Sequence, residues 1–405
     1  MPQSRGACSA VWRHVAGKAL TDSDRHYREG AAVVETGPGF FRPESRPARD
    51  LSVLLAAHQA MHRQKPLRWL DLMAGCGIRS LRWGLEAAPL AAQAPQIVVN
   101  DADPDRWPYL QRNFAPLTQS AQPLQISVRA AEAVMAQAYL DQQTFDLIDL
   151  DAFGSPGALL QPALRVLAFD GILFLASTDG RSPTGHDRIG AVRNLGSSAR
   201  VHPASWELAL RQQLGLLARE AWLLGCGLEP LLSFSDGRTF RIAVRLRKRP
   251  SRDELAQLGL LARCEACGAQ QQQSMLRLRG WPSCDCPAGS GRWAIHGPLW
   301  LGPLQTTGLL RQLMASPVVT GPATKRLLTR LEQDSGALPT VWSTAEIAKR
   351  LRLAGPPATA VVVEALQRSG HEAAISGVMA GQIRTDASLT ELLQLCRVLG
   401  GEAFK

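Results

Sequence analysis

Two loops in this 405-residue sequence carry residues whose types and spacing could do chemistry. The first is Asp149-Leu150-Asp151-Ala152-Phe153-Gly154-Ser155-Pro156, an acidic, aromatic stretch that directly follows the strand-like run Phe145-Asp146-Leu147-Ile148. An exocyclic amine on a nucleobase is a poor nucleophile because its lone pair is delocalised into the ring. A carboxylate such as Asp151, helped by a main-chain carbonyl, can accept the N–H, orient it and free that lone pair. Phe153 can stack on the base, and Pro156 fixes the loop. Base extrusion from a stacked helix costs a few kcal/mol, which stacking and edge hydrogen bonds must offset. The plainer alternative is that the two aspartates cap a helix beginning near Gly157.

The second loop is Trp69-Leu70-Asp71-Leu72-Met73-Ala74-Gly75-Cys76-Gly77-Ile78-Arg79, a strand running into glycines. Gly75 and Gly77 let the backbone approach a ligand and turn into a helix whose N-terminus faces it. The pattern lacks the third glycine of dinucleotide sites, and adenosylmethionine has no phosphate to cradle, so a methyl donor is favoured over NAD. Asp71 ends this strand. Asn100-Asp101-Ala102-Asp103 ends the next, where Asp101 is placed to accept hydrogen bonds from ribose hydroxyls. For both carboxylates a helix N-cap is the competing role. Together the two loops imply S-adenosyl-L-methionine-dependent methylation of a nitrogen atom.

A third cluster is metal-like. Cys264-Glu-Ala-Cys267, then sixteen residues, then Cys284-Asp-Cys286 fits a tetrahedral Zn2+ site. The second pair is one residue short of the usual knuckle, so His296 is the nearest substitute for Cys286. Four thiolates leave no open position, which implies a structural metal. Cys8, Cys76, Cys226 and Cys396 are scattered and read as packing residues. Basic and aromatic residues interleave nearby, at Arg277, Arg279, Trp281, Arg292, Trp293, His296 and Trp300, a mixture suited to phosphate contact and base stacking.

The elements that position these residues follow from hydrophobic periodicity. Strand-like runs at Arg68–Leu72, Gln96–Asn100, Leu124–Val128, Phe145–Leu150, Gly171–Ser177, Glu229–Ser235 and Phe240–Arg247 alternate with helical patterns at Ile78–Ala87, Pro104–Phe114, Gly157–Ala168 and Pro203–Cys226. That alternation predicts βαβ units and a mostly parallel sheet, with the last two strands forming an antiparallel hairpin across Asp236-Gly237-Arg238. Arg245-Leu246-Arg247-Lys248-Arg249-Pro250 suggests a boundary near 250. Thr344 to Lys405 resembles a helix-turn-helix-like module.

Composition bounds the function. Hydrophobic residues at 45% and charged residues at 20% exclude wholesale disorder, and the length exceeds what one core supports. No apolar run approaches the ~20 residues needed to span a bilayer. Residues 1–30 contain no apolar signal segment, so a cytoplasmic location without membrane attachment is expected. Lys and Arg number 45 against 35 Asp and Glu, and the resulting +10 favours a polyanionic partner.

With these residues in view, the sequence resembles the tRNA guanine-26 N2-dimethyltransferase family over nearly its whole length. Phe40-Phe41-Arg42-Pro43 and Pro47-Ala48-Arg49-Asp50-Leu51-Ser52-Val53 are similar to the family's N-terminal stretch, and Asp149 to Pro156 to its Asp-Leu-Asp-Pro-(Phe/Tyr)-Gly-Ser-Pro motif. Further matches are Thr178-Asp179, Trp206 to Arg211, Glu229 to Ser233, Gly297 to Leu304 and Gly381 to Ala387. The resemblance implies donor contacts for Arg49, Arg79 and Asp101 and the catalytic role for Asp151. Ala152 stands where the family has proline, Ala48 where it has asparagine, and Ala130-Ala131 where it has Asp-Ala, leaving the Ala130 and Ala131 backbone to meet the adenine.

The expected architecture is therefore α/β: a Rossmann-like seven-stranded methyltransferase domain plus a smaller zinc-containing α/β C-terminal domain. Residues 1–65 form an extension packed on the catalytic domain, 66–250 the methyltransferase domain, and 251–405 a zinc- and tRNA-binding part. The expected reaction places one or two methyl groups on the exocyclic N2 of a guanine, at position 26 of tRNA, with no obligate protein partner. The rivals are a non-catalytic tRNA-binding protein and an exocyclic-amine methyltransferase acting on rRNA or DNA.

Overall fold

The computed structural model describes residues 26–120, 122–284, 286 and 291–402. The reading of residues 1–25 as free of a signal segment, and Cys8, lie outside them. Fifteen strands are described: β1 (His26–Glu29), β2 (Ala32–Glu35), β3 (Arg68–Asp71), β4 (Gln96–Asp101), β5 (Leu124–Val128), β6 (Phe145–Asp151), β7 (Leu167–Ser177), β8 (Gly227–Ser235), β9 (Phe240–Arg247), β10 (Leu258–Cys264), β11 (Gln270–Ser274), β12 (Trp293–Trp300), β13 (Val341–Ser343), β14 (Ala373–Ile375) and β15 (Gln382–Thr385).

Strands β3 to β9 make one seven-stranded sheet in the order β5-β4-β3-β6-β7-β9-β8. The first five are parallel, and β9 runs antiparallel to both β7 and β8, as the missing helix between the last two runs requires. Successive strand residues point to opposite faces, and here both faces are covered, which is why the strands read as unbroken apolar runs. Trp69, Ile97, Val99, Leu147 and Phe174 pack on one side with the helix Arg46–His62 and with Thr307–Met314 and Pro322–Glu332. Leu70, Val98, Ile148, Leu173 and Leu175 pack on the other with Ala131–Leu140, Gly157–Arg165 and Ser205–Leu223. Each fully buried Leu or Phe contributes roughly 1.5–3 kcal/mol.

One sequence expectation shifts. Helix Gly157–Arg165 stops earlier than its apolar pattern, because Leu167 and Ala168 already belong to β7. Beyond β9, strands β11-β10-β12 form an antiparallel sheet, and β13-β15-β14 form another beside the helices Thr344–Leu351 and Thr359–Arg368. The helix-turn-helix-like stretch is thus three helices, the third Leu389–Glu402, completed by a small sheet.

Packing does not stop at residue 250. Arg384 of β15 donates to Glu207 (Nη1–Oε1 2.9 Å) and Asp334 (Nε–Oδ1 2.9 Å), while Arg211 reaches the carbonyls of Trp300 and Gly302 at 3.0 and 2.8 Å. Three motifs that lie far apart in sequence meet here, around charges that are almost fully buried. Such a network contributes little net stability compared with an apolar substitute, but losing one partner strands the others.

Candidate active site

The strand order reverses between β3 and β6, so the loops after β3, β4, β5 and β6 open into one crevice at the carboxyl edge of the sheet, where doubly wound sheets bind their ligands. The glycine loop is pinned at its start, by Leu72 N–H to the Asp149 carbonyl (3.1 Å) and Ala74 N–H to the Asn100 carbonyl (2.9 Å). Just after them Gly75 and Gly77 adopt φ of +58° and +78°. A side chain on Gly75 would point into open space, whereas one on Gly77 would strike the Phe114 ring. The first glycine leaves room for a ligand; the second serves helix packing.

Asp101 sits beside this loop. Its Oδ2 accepts the Gly75 N–H at 2.7 Å and its Oδ1 the Asp103 N–H at 2.9 Å. Asp103, and not Asp101, caps the turn Pro104–Arg106. Asp71 is buried; it accepts the Ser80 hydroxyl at 2.9 Å through Oδ2, while Oδ1 has no partner. Burial pushes its pKa up to about 7, against the pull of Arg79 and with the charge of Asp149 adding to the rise. Exposed Ala130 precedes the helix Ala131–Leu140, whose first amides have no side-chain cap.

The acid loop is held differently. Neither aspartate caps the helix Gly157–Arg165. Asp149 is buried at the centre, accepting from Ser52 Oγ (2.7 Å) and from Arg79 Nη1. Asp151, partly exposed, accepts Arg79 Nη2 at 2.7 Å on Oδ2 and Arg241 Nη2 on both oxygens, at 3.1 and 3.0 Å. Oδ2 thereby takes two N–H bonds and Oδ1 one, so Oδ1 keeps a free acceptor site. Burial alone would raise the pKa of Asp151, but the guanidinium groups of Arg241 and Arg79 outweigh it and hold the carboxyl below its usual range. Phe153 is 74% exposed and meets Phe40, itself 66% exposed, edge to face at 5.6 Å between ring centroids.

Two arginines expected at the donor are occupied elsewhere. Arg49 donates to Glu29 (Nη2–Oε2 2.6 Å) and to the carbonyls of Arg42 and Pro43 at 2.9 and 3.2 Å, bracing the segment that carries Phe40. Arg79 spans Asp149 and Asp151. Sequence reasoning missed Ser52, Arg241 and Phe40 as site residues. Ser52 and Phe40 lie within matched motifs, so a signal existed; Arg241 sits in an apolar strand and had none.

The four cysteines come together: Cys264, Cys267, Cys284 and Cys286 place their Sγ atoms within 4.8 Å of one another, with Cys267–Cys284 at 3.4 Å and Cys264–Cys286 at 4.0 Å. Sulfurs bound tetrahedrally at ~2.3 Å from a zinc ion lie ~3.8 Å apart, so the set fits that ion. His296 does not join it; its ring is buried in β12 against His202, centroids 5.4 Å apart. Trp300 is buried too, so of the expected basic and aromatic surface only the part around Arg277, Arg279, Arg292 and the Trp281–Trp293 pair (6.3 Å) remains accessible.

A sheet of this order, with a glycine loop after its first parallel strand and an acid loop after its fourth, defines a Rossmann-like methyltransferase fold. The model of the family N2,N2-dimethylguanosine tRNA methyltransferase matches residues 17–397, and the chain belongs to that family. It is 28% identical over 373 residues to a tRNA (guanine(26)-N(2))-dimethyltransferase of Archaeoglobus fulgidus, covering 91% of this chain and 97% of the relative. A protein of the same name from Methanocorpusculum labreanum is 30% identical over 299 residues, 73% of each chain. The solved Trm1 of Pyrococcus horikoshii, in complex with S-adenosyl-L-methionine, superposes with a TM-score of 0.77 at 23% identity, covering 91% of this chain and 99% of that one. Among the described residues no helix is long and apolar enough to cross a membrane.

Proposed function

We propose that this chain transfers methyl groups from S-adenosyl-L-methionine to the exocyclic N2 of a guanine in tRNA, at position 26, as its relatives are named to do. The observation that carries this reading is Asp151, an ionised acceptor whose Oδ1 keeps one free acceptor site, beside an open glycine loop at the sheet's switch point. The donor would be held by the Gly75–Gly77 backbone, by Asp101 and by the amides at Ala130 and Ala131. When bound, it supplies a sulfonium-activated methyl group, the electrophile that an oriented amine needs.

The chain's own residues do the rest. Asp151 Oδ1 accepts one N–H of the guanine amine and turns its lone pair out of conjugation. Phe153 and Phe40 cover the extruded base, replacing part of the stacking lost from the tRNA. Because Arg241 and Arg79 keep the proton affinity of Asp151 low, the carboxylate works as an acceptor and orienter, and the proton lost after transfer passes to water. Zn2+ held by the four cysteines would fix β10 to the segment before β12. A cytoplasmic location agrees with a tRNA substrate.

Incubation of the purified protein with unmodified tRNA and isotope-labelled S-adenosyl-L-methionine, followed by mass spectrometry of the nucleosides, tests the reading. Labelled N2-methyl- and N2,N2-dimethylguanosine should appear and vanish when guanine 26 is replaced by adenine. Intact tRNA binding without labelled guanosine would favour the non-catalytic rival.

A further inference from the structure

Residues 181–200 form a segment that neither loop chemistry nor the cysteine cluster uses. It contains four arginines, Arg181, Arg188, Arg193 and Arg200, against one acid, Asp187, whose carboxylate is consumed in capping the helix Arg188–Leu195 through the Gly190 N–H at 2.8 Å. None of the four arginines forms an ion pair among the described residues; Arg193 reaches only Asn194, Nε to Oδ1 at 3.2 Å. Between Arg188 and Arg193 the same helix exposes Ile189 (79%) and Val192 (65%). Unpaired guanidinium groups around small exposed apolar side chains match a sugar-phosphate chain, whose phosphates need cations and whose riboses offer apolar edges.

The helix is lashed to the acid loop. Gly154 donates to Thr178 Oγ1 at 2.6 Å and accepts from the amides of Thr178 and Asp179 at 3.1 and 3.3 Å. Asp179 Oδ2 in turn accepts Asn194 Nδ2 at 3.1 Å, and a Cβ on Gly157 would stand 3.2 Å from the Asn194 carbonyl. The far end of the segment pairs with the cysteine-bearing sheet, where Ser198 Oγ donates to the Ile295 carbonyl at 2.9 Å and Ser198 bridges Gly297. The basic segment therefore runs from the mouth of the acid loop to the zinc-type module.

Resting on the proposed reading, we infer that the helix Arg188–Leu195, with Arg181, grips the RNA backbone on one side of the extruded guanosine. Its position then sets which nucleotide reaches Asp151. The double substitution Arg188→Glu and Arg193→Glu should weaken binding of the full chain to tRNA at least tenfold near 0.15 M salt. The slope of log affinity against log salt should become shallower by roughly 0.7–0.9 for each phosphate that the variant no longer neutralises. S-adenosyl-L-methionine binding, read by calorimetry, should not change. Arg165→Glu with Arg252→Glu, an equal charge change at the opposite edge of the sheet, is the control.

A photo-crosslinking residue at Ile189 should label nucleotides within a few positions of the methylated guanosine. If wild type methylates tRNA while the Arg188/Arg193 variant binds like the control, or if Ile189 crosslinks to a distant tRNA arm, the inference is wrong. If wild type methylates no tRNA, the underlying reading fails instead.

Discussion

The glycine loop and the acid loop leave the same edge of one sheet and are built on opposite plans. The first is open: Gly75 faces empty space and Asp101 is held mainly by backbone amides. The second is clamped: Asp149 and Asp151 share Arg79, and Arg241 closes on Asp151 from the antiparallel strand β9. An exchangeable donor needs a cradle it can leave after each transfer, whereas a weak nucleophile needs an acceptor that stays charged and does not move. On the proposed reading, the polypeptide supplies the cradle with backbone and the acceptor with ion pairs.

Removing the acceptor should give the largest effect. Asp151→Asn keeps the shape and loses the charge, and methyl transfer at saturating donor should drop roughly 10²–10⁴-fold with donor and tRNA affinity retained. Arg241→Gln tests the clamp. A charge-assisted hydrogen bond is worth about 1.5–3 kcal/mol, so a fall of about 10–100-fold in single-turnover rate is expected near neutral pH. In the proposed role Asp151 acts ionised, and losing Arg241 raises its pKa, so the acidic limb of the rate profile should move to higher pH. Arg241→Lys should restore the profile in part. An Arg241→Gln enzyme with an unmoved limb would reduce Arg241 to packing.

The contrast in construction also decided what could be read from sequence. The glycine loop was legible because its elements are local: strand, glycines and helix follow within eleven residues, and Asp101 ends the next strand. Asp151 was legible for the same reason. Its partner Arg241 was not, since ninety residues separate them and an arginine amid Phe240, Ile242, Ala243 and Val244 carries no periodicity of its own. Arg49 and Arg79 were legible as residues but not in their contacts, because sequence does not show that buried carboxylates compete for each guanidinium. The cysteines were found by spacing, whereas the burial of Trp300 and His296 followed from the pairing of β12 with β10.

Smaller effects should follow at the cysteine cluster, whose residues belong to neither loop. Elemental analysis should find about one zinc per chain. Cys264→Ser should release it, lower the melting temperature of the β10–β12 sheet and weaken tRNA binding, while leaving affinity for S-adenosyl-L-methionine intact. Protein purified without zinc yet fully stable would remove the structural metal. Loss of donor affinity on zinc release would instead show that the module supports the cradle.

Asp71 gives the smallest and most discriminating readout, because it lies beneath both loops. Its folded pKa is raised, so its contribution to stability is present in full below the ordinary carboxylate pKa near 3.8 and is lost as pH rises through about 7. Over that window the unfolded chain releases a proton that the folded chain retains. Asp71→Asn cannot ionise, and its amide can still accept the Ser80 hydroxyl that Oδ2 accepts now. Relative to wild type the variant should therefore gain stability progressively from about pH 4 to about pH 7 and hold a constant lead above that, read as a rising difference in melting temperature. Melting curves across that range read the difference directly. A gap independent of pH would mean that Asp71 is ionised throughout, balanced by Arg79. In that case Arg79 would serve three carboxylates, and the open and clamped loops would share one electrostatic unit.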